Sequence, residues 1–131
     1  MTQEDKEFLL RDLCARLPYG VKVNNEIQGD FVIYGVCENY IFARTTTSHV
    51  DFRVEDIKPY LFPLSSMTEG QCYKLASIRS GFQDCWKYIK TPIPLSICNF
   101  ENVDWFNKNH FDYRGLIEKG LAIDATGLNI Y

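Results

Sequence analysis

The 131-residue chain has no basic block. Residues 1–70 hold seven Lys/Arg against eleven Asp/Glu, a balance of −4, and residues 71–131 hold seven against six, a balance of +1. Tight, sequence-independent binding to nucleic acid is not advertised by that distribution, although a net charge does not exclude a local groove lined by Arg44, Arg53 and Lys58. The five cysteines, Cys14, Cys37, Cys72, Cys85 and Cys98, are odd in number and widely spaced, with no C-x-x-C pair. They supply neither a disulfide framework nor a zinc knuckle, and buried, reduced thiols are expected. With only His49 and His110, a multi-histidine metal centre is excluded. Glycine-rich phosphate loops and G-x-S-x-G elbows are missing. No apolar run approaches the ~20 residues needed to cross a bilayer, and no basic-then-apolar leader follows Met1. These absences point to a cytoplasmic protein with no membrane segment, metal or cofactor.

What the chain does have is aromatic surface: nine Phe, eight Tyr and two Trp, 15% of all residues. Most of these rings are expected in the core. Thr2 and Asp5 read as the cap of an amphipathic helix over 1–18. In it Phe8, Leu9, Leu13 and Leu17 form the apolar stripe, and Glu4, Lys6, Glu7, Arg11 and Asp12 stand mostly opposite. Pro18 and Gly20 end it. The period then becomes alternating. Val21 and Val23 lead to a turn at Asn24-Asn25, Phe31 to Val36 is a run of β-formers with a bulge or bend at Gly35, and Glu38-Asn39 turns into Tyr40–Ala43. Val50, Phe52 and Val54 alternate with Asp51 and Arg53. A short helical turn at Glu55–Ile57 precedes an extended piece held by Pro59 and Pro63.

From Ser66 the pattern is helical again. Ser66 with Glu69, or Thr68 with Gln71, offers a capping box, and Gly81 a terminator. Phe82–Lys90 reads as a further helix, Pro92 and Pro94 mark a loop, Asn102 is placed to cap a helix through Val103, Trp105 and Phe106, and Asp112 a last one with Leu116, Ile117 and Leu121. The predicted fold is α+β in a single domain: an N-terminal helix, a small antiparallel SH3-like barrel or curled sheet over 19–64, and C-terminal helices over 65–131 packed on it.

The most individual stretch is Trp105–Gly120, W-F-N-K-N-H-F-D-Y-R-G-L-I-E-K-G. So many hydrogen-bonding groups among large apolar ones imply a buried polar network or a contact surface. As a structural corner, Asp112 would cap the last helix, Arg114 would bridge to Asp104 or Glu118, and Tyr113 would bury its ring. As a contact surface, Trp105, His110, Tyr113 and Arg114 would meet a partner. A catalytic alternative sets Cys98 against His110 and Asp112, without any local signature.

Three runs also carry a resemblance: D-L-C-A-R-L-P-Y-G-V-K-V (Asp12–Val23), K-P-Y-L-F-P-L-S-S-M-T-E (Lys58–Glu69) and N-K-N-H-F-D-Y-R-G-L-I-E-K-G-L-A (Asn107–Ala122). They resemble short uncharacterised proteins of gut bacteria, often found with phage or other mobile DNA. The likeness spans most of the chain outside about 70–101. It implies a cytoplasmic, element-associated accessory protein and carries over no activity or site residue.

The leading expectation is therefore a non-enzymatic interaction protein whose partner is another protein. The alternative is a nucleic-acid-binding module that uses Tyr34, Tyr40, Phe42, Arg44 and Arg53 on the sheet. An enzyme based on Cys98 and His110 ranks third.

Overall fold

The N-terminal helix forms where its cap is. In the structure, a computed structural model that describes residues 1–71, 74 and 100–131, Thr2 Oγ1 accepts from the Asp5 amide at 3.0 Å and the Asp5 carboxylate accepts from the Thr2 amide at 3.3 Å. This capping box opens α1 (Gln3–Arg16), and a 3₁₀ turn at Leu17–Tyr19 ends on Gly20 in the left-handed region. The buried stripe of α1 is Leu9, Asp12, Leu13 and Arg16, so the face that packs inward carries an acid and a base.

Five strands follow: β1 (Lys22–Asn25), β2 (Gly29–Cys37), β3 (Tyr40–Arg44), β4 (His49–Arg53) and β5 (Lys58–Pro63). The expected punctuation sets the registers. Asn25 Oδ1 accepts from the Ile27 and Gln28 amides, which fixes the β1–β2 turn. Glu38, at φ 55°, turns the chain so that Cys37 faces Tyr40. Thr45 Oγ1 accepts from the Thr47 and Ser48 amides in the loop that sets Arg44 opposite His49. Val54–Asp56 forms the expected short turn before β5.

The sheet runs in the order β4-β3-β2-β1-β5-β6, with β6 at Phe111–Asp112, and β7 (Ile123–Asp124) also pairs with β5. The first five strands pair antiparallel, whereas β6 and β7 run parallel to β5. The expected SH3-like closure is not made among the described residues. β5 is paired by β1, β6 and β7, and the sheet stays open between β4 and β6.

One core lies between α1 and the sheet and joins Leu9 and Leu13 to Val21, Val23, Phe31, Ile33, Ile41 and Phe52. A second gathers Leu64, Met67, Phe106, Phe111 and Tyr113, with Trp105 at its margin. Thr68 and Gln71 make their capping box, with reciprocal bonds of 2.8 and 3.2 Å. The helix at Phe82–Lys90, the Pro92–Pro94 loop and Cys72, Cys85 and Cys98 lie outside the described residues. Cys14 and Cys37 are exposed, not buried, because each stands on the outward side of its element.

Two expectations in the last third are corrected. The helix α2 (Phe100–Lys108) already contains Asn102, which therefore does not cap it. The last helix contracts to one turn, Leu116–Gly120. The Asp112 carboxylate accepts from the Leu116 and Ile117 amides, both at 2.9 Å, while the Gly120 and Leu121 amides bond back to Ile117 and Leu116. A side-chain cap and a Schellman closure therefore meet with no helix between them. Gly120 sits at φ 74°, and a Cβ there would meet nothing within 4 Å. Gly120→Ala should accordingly cost about 1–2 kcal/mol from backbone conformation alone, read as a shift in the urea midpoint at unchanged slope.

Candidate functional site

Two groups of polar and aromatic residues stand out, one inside the molecule and one on its surface. The inner group is centred on α1. Arg16 donates to Asp12 through Nε at 2.7 Å and Nη2 at 3.1 Å, and the same Nη2 donates to the Phe111 carbonyl at 2.7 Å. Both side chains are 0% exposed. Arg114 Nε lies 3.3 Å from Asp12 Oδ1, so Asp12 serves two guanidinium groups. This replaces the expected partner Asp104 or Glu118. Arg16 Nη1 has no hydrogen-bond acceptor, but the guanidinium lies 5.3 Å from the Tyr113 ring centre, a cation–π contact that offsets part of the loss.

Trp105–Arg114 completes this interior. The Tyr113 hydroxyl donates to the side-chain carbonyl of buried Asn107 at 3.0 Å and accepts from Arg114 at 3.4 Å. Its ring stacks on Phe106, and half-buried Trp105 stacks on Phe111. Of the four residues expected to meet a partner, Tyr113 is buried and Trp105, His110 and Arg114 are partly covered. Burial of Asp112 pushes its carboxyl above the usual carboxylate range, against the pull of the Ile117 and Leu116 amides.

His110 follows α2 in the left-handed region, at φ 63°, and its carbonyl accepts from the Phe62 amide at 2.8 Å. Its ring stacks on Tyr131, with centres 3.6 Å apart and planes 10° from parallel. The Tyr131 hydroxyl accepts from the Lys22 amide and donates to the Tyr60 carbonyl, which ties the last residue to β1 and β5. Burial holds that phenol up to about 12. Burial, with Arg16 and Lys22 nearby, lowers His110 to about 4. Among the described residues no hydrogen bond joins His110 to Asp112, whose two oxygens serve the turn. Cys98 falls outside the described residues, and no group of three His, Cys, Asp or Glu among them is placed to hold a metal.

The outer group lies on the open side of β2–β4. Period-2 alternation sends Ile41, Ala43 and Phe52 inward and Tyr40, Phe42, Arg44, His49, Asp51 and Arg53 outward. Cross-strand pairs then form three rows: Val32–Arg44–His49, Gly35–Phe42–Asp51 and Cys37–Tyr40–Arg53. Tyr34 is the extra residue of a bulge between Ile33 and Gly35. Alternation from Val32 and Ile33 puts its ring on this face, 5.7 Å from His49 and 6.3 Å from Phe42, with the Arg44 guanidinium 5.5 Å above it. Gly35 leaves the room, since a Cβ there would stand 3.0 Å from the Phe42 ring. Tyr34 and Tyr40 remain 45% and 46% exposed. All five sheet residues expected from sequence therefore share one face.

At the Arg44 end this face opens into a depression of about 850 Å³, which brings Lys22, Thr45, Thr46 and His49 to Arg44. At the other end Tyr40 and Arg53 border a second of about 520 Å³, beside Ile27 of the β1–β2 turn. Sequence reasoning missed His49, Lys22 and the threonines as members of the site. The signal for His49 was present in the His49–Arg53 alternation; Lys22 and Thr45 meet only through the fold. It also missed Asp12 and Arg16, although positions 9, 12, 13 and 16 form one helical stripe. Comparison with known protein families, curated proteins and solved structures finds no match.

Two predictions follow from the inner group. Asp12→Ala leaves two guanidinium groups without their carboxylate and should cost about 3–5 kcal/mol; in a denaturant series, Asp12→Ala/Arg16→Met should cost clearly less than the sum of the single changes. For His110, the folded state resists protonation while the unfolded chain protonates near 6.5. Its contribution to stability is thus complete above pH 6.5 and declines as the pH falls towards 4. His110→Asn keeps a residue tolerant of positive φ and removes the titration, so its stability should fall less steeply than the wild type's over that window. The raised Asp112 acts with the opposite sign in both proteins and cancels from the comparison.

Proposed function

We propose that this chain is a non-enzymatic binding protein that meets its partner through the outer face of β2–β4. One observation carries the reading: the Arg44 guanidinium over the exposed Tyr34 ring, with Phe42 and His49 against that ring. Exposed aromatic and arginine side chains gathered on a rigid element are the usual energetic centre of a recognition surface. A side chain held by a bulge and two neighbouring rings also loses little freedom on binding.

Within Trp105–Arg114 the side chains of Asn107, Asn109, Asp112 and Tyr113 bond within the chain, and the atoms without a hydrogen-bond partner among the described residues, His110 Nδ1 and Arg114 Nε, are buried, which leaves the segment few groups to offer outward. Asp112 is committed to two amides and His110 to Tyr131, and neither is joined to a nucleophile among the described residues. The resemblance to phage- and element-associated proteins supports a role as a cytoplasmic accessory factor. Among the described residues no helix is long and apolar enough to cross a membrane.

Tagged wild-type chain should recover a stoichiometric partner, protein or nucleic acid, from its host. The Tyr34→Ala/Arg44→Ala double variant should lose at least tenfold of that recovery, while Trp105→Phe retains it. Loss with Trp105→Phe and retention with the double variant would contradict the proposal and return the contact surface to the Trp105 motif.

A further inference from the structure

The geometry points to a single strand of nucleic acid as the occupant of the outer face, with its bases on the aromatic rings and its phosphates along the groove at Lys22, Arg44 and the two threonines. This inference rests on the binding surface proposed above and names what that surface takes.

Tyr34, Phe42 and Tyr40 offer their rings outward along two neighbouring strands, and a π face accepts any base. Arg44 belongs both to this row and to the wall of the 850 Å³ groove, so the stacking platform and the groove are continuous. Within the groove the Arg44 guanidinium stands with the Thr45 and Thr46 hydroxyls and with the Lys22 ammonium, which gives one of its three protons to the Ile130 carbonyl; these are cationic and neutral donors of the kind that hold phosphate oxygens. Arg53 provides a third cation beside Tyr40 at the far end.

The opposing charges are three, and one of them, Asp56, lines the far depression with Arg53. Asp30 lies in the groove, but one of its oxygens already accepts from the Tyr60 hydroxyl at 2.7 Å and from Asn24 at 2.8 Å. Asp51 projects from the middle row opposite Phe42. Three cations against three carboxylates leave the track without net charge, so stacking on the rings carries most of the contact, which suits a short, modest one. A stable protein interface covers about 800 Å² and 20–30 residues on each partner. The three rows present fewer than a dozen side chains, with Val32 their one aliphatic member, and so match a few nucleotides better than a protein.

Fluorescence anisotropy with labelled oligothymidylate and with a duplex of equal length tests this. The single strand should be preferred. With two to three phosphates neutralised, log K should fall against log salt with a slope of roughly −1.4 to −2. Tyr34→Ala should weaken binding by roughly tenfold, and Asp51→Asn, a conservative exposed change, should strengthen it about twofold, the size expected when one charge leaves a screened surface. Undetectable binding, equal affinity for the duplex, salt-independent binding, or a Tyr34→Ala variant that binds as well as wild type would each overturn the inference. Should the oligonucleotide fail while the Tyr34→Ala/Arg44→Ala variant still loses a protein partner, the nucleic-acid inference falls and the binding surface stands.

Discussion

The buried ion pair between Asp12 and Arg16 is the constraint on which the rest of the structure depends. It lies on α1, which covers the sheet, and it reaches across to the carbonyl of Phe111, in the second core. Removing two charges from water is costly, and their attraction repays that only when the remaining donors and acceptors are also satisfied. The last third of the chain does much of this, although Arg16 Nη1 keeps only the Tyr113 ring and no acceptor among the described residues. Arg114 comes to Asp12, Tyr113 lies beside both guanidinium groups, and Phe111 supplies its carbonyl. An apolar contact tolerates sliding, whereas this network fixes how β6 meets α1. The dense chemistry of Trp105–Arg114 is explained by that interior role.

With the interior so occupied, the outward chemistry is left to the sheet. β6 and β7 pair with β5, β4 ends the sheet order, and the open side of β2–β4 carries no described element across it. The same pleat that places Ile41 and Ala43 against α1 places Tyr40, Phe42 and Arg44 outside. Tyr34 joins them by the same alternation as Val32, and the inserted residue then brings Gly35 opposite Phe42, where it makes room for the ring. Fold and surface therefore arise from the same alternation, with a single bulge altering its phase.

How much of this was legible depended on distance along the chain. The Thr2–Asp5 cap, the turn at Asn24-Asn25 and the alternation from His49 to Arg53 are local, and each followed from propensity and period. The five aromatic and basic residues of the outer face were legible for the same reason, since period 2 sorts a strand's faces without knowledge of its partners. Asp12 was misread because a charge on an amphipathic helix is ordinarily a solvated one, and Arg16 passed unnoticed beside it. Their partners lie about a hundred residues onward, at Phe111 and Arg114. The two-residue strands β6 and β7 had no periodicity to detect, and with both paired parallel to β5 the described sheet is open and mixed, where an antiparallel barrel or curled sheet was expected. Asp112 was recognised as a cap, but the helix it was expected to start is one turn long, closed at once by Gly120.

The central claim is a division of labour, with the Trp105–Arg114 motif holding the molecule together and the face of β2–β4 meeting the ligand. Amide-resolved NMR during titration of the ¹⁵N-labelled chain with oligothymidylate tests it most directly. The account predicts shifts concentrated at Val32–Gly35, Tyr40–Thr46 and His49–Arg53, with the amides of Phe111–Ile117 unmoved. Perturbations centred on Trp105–Arg114, with a silent sheet face, would contradict it.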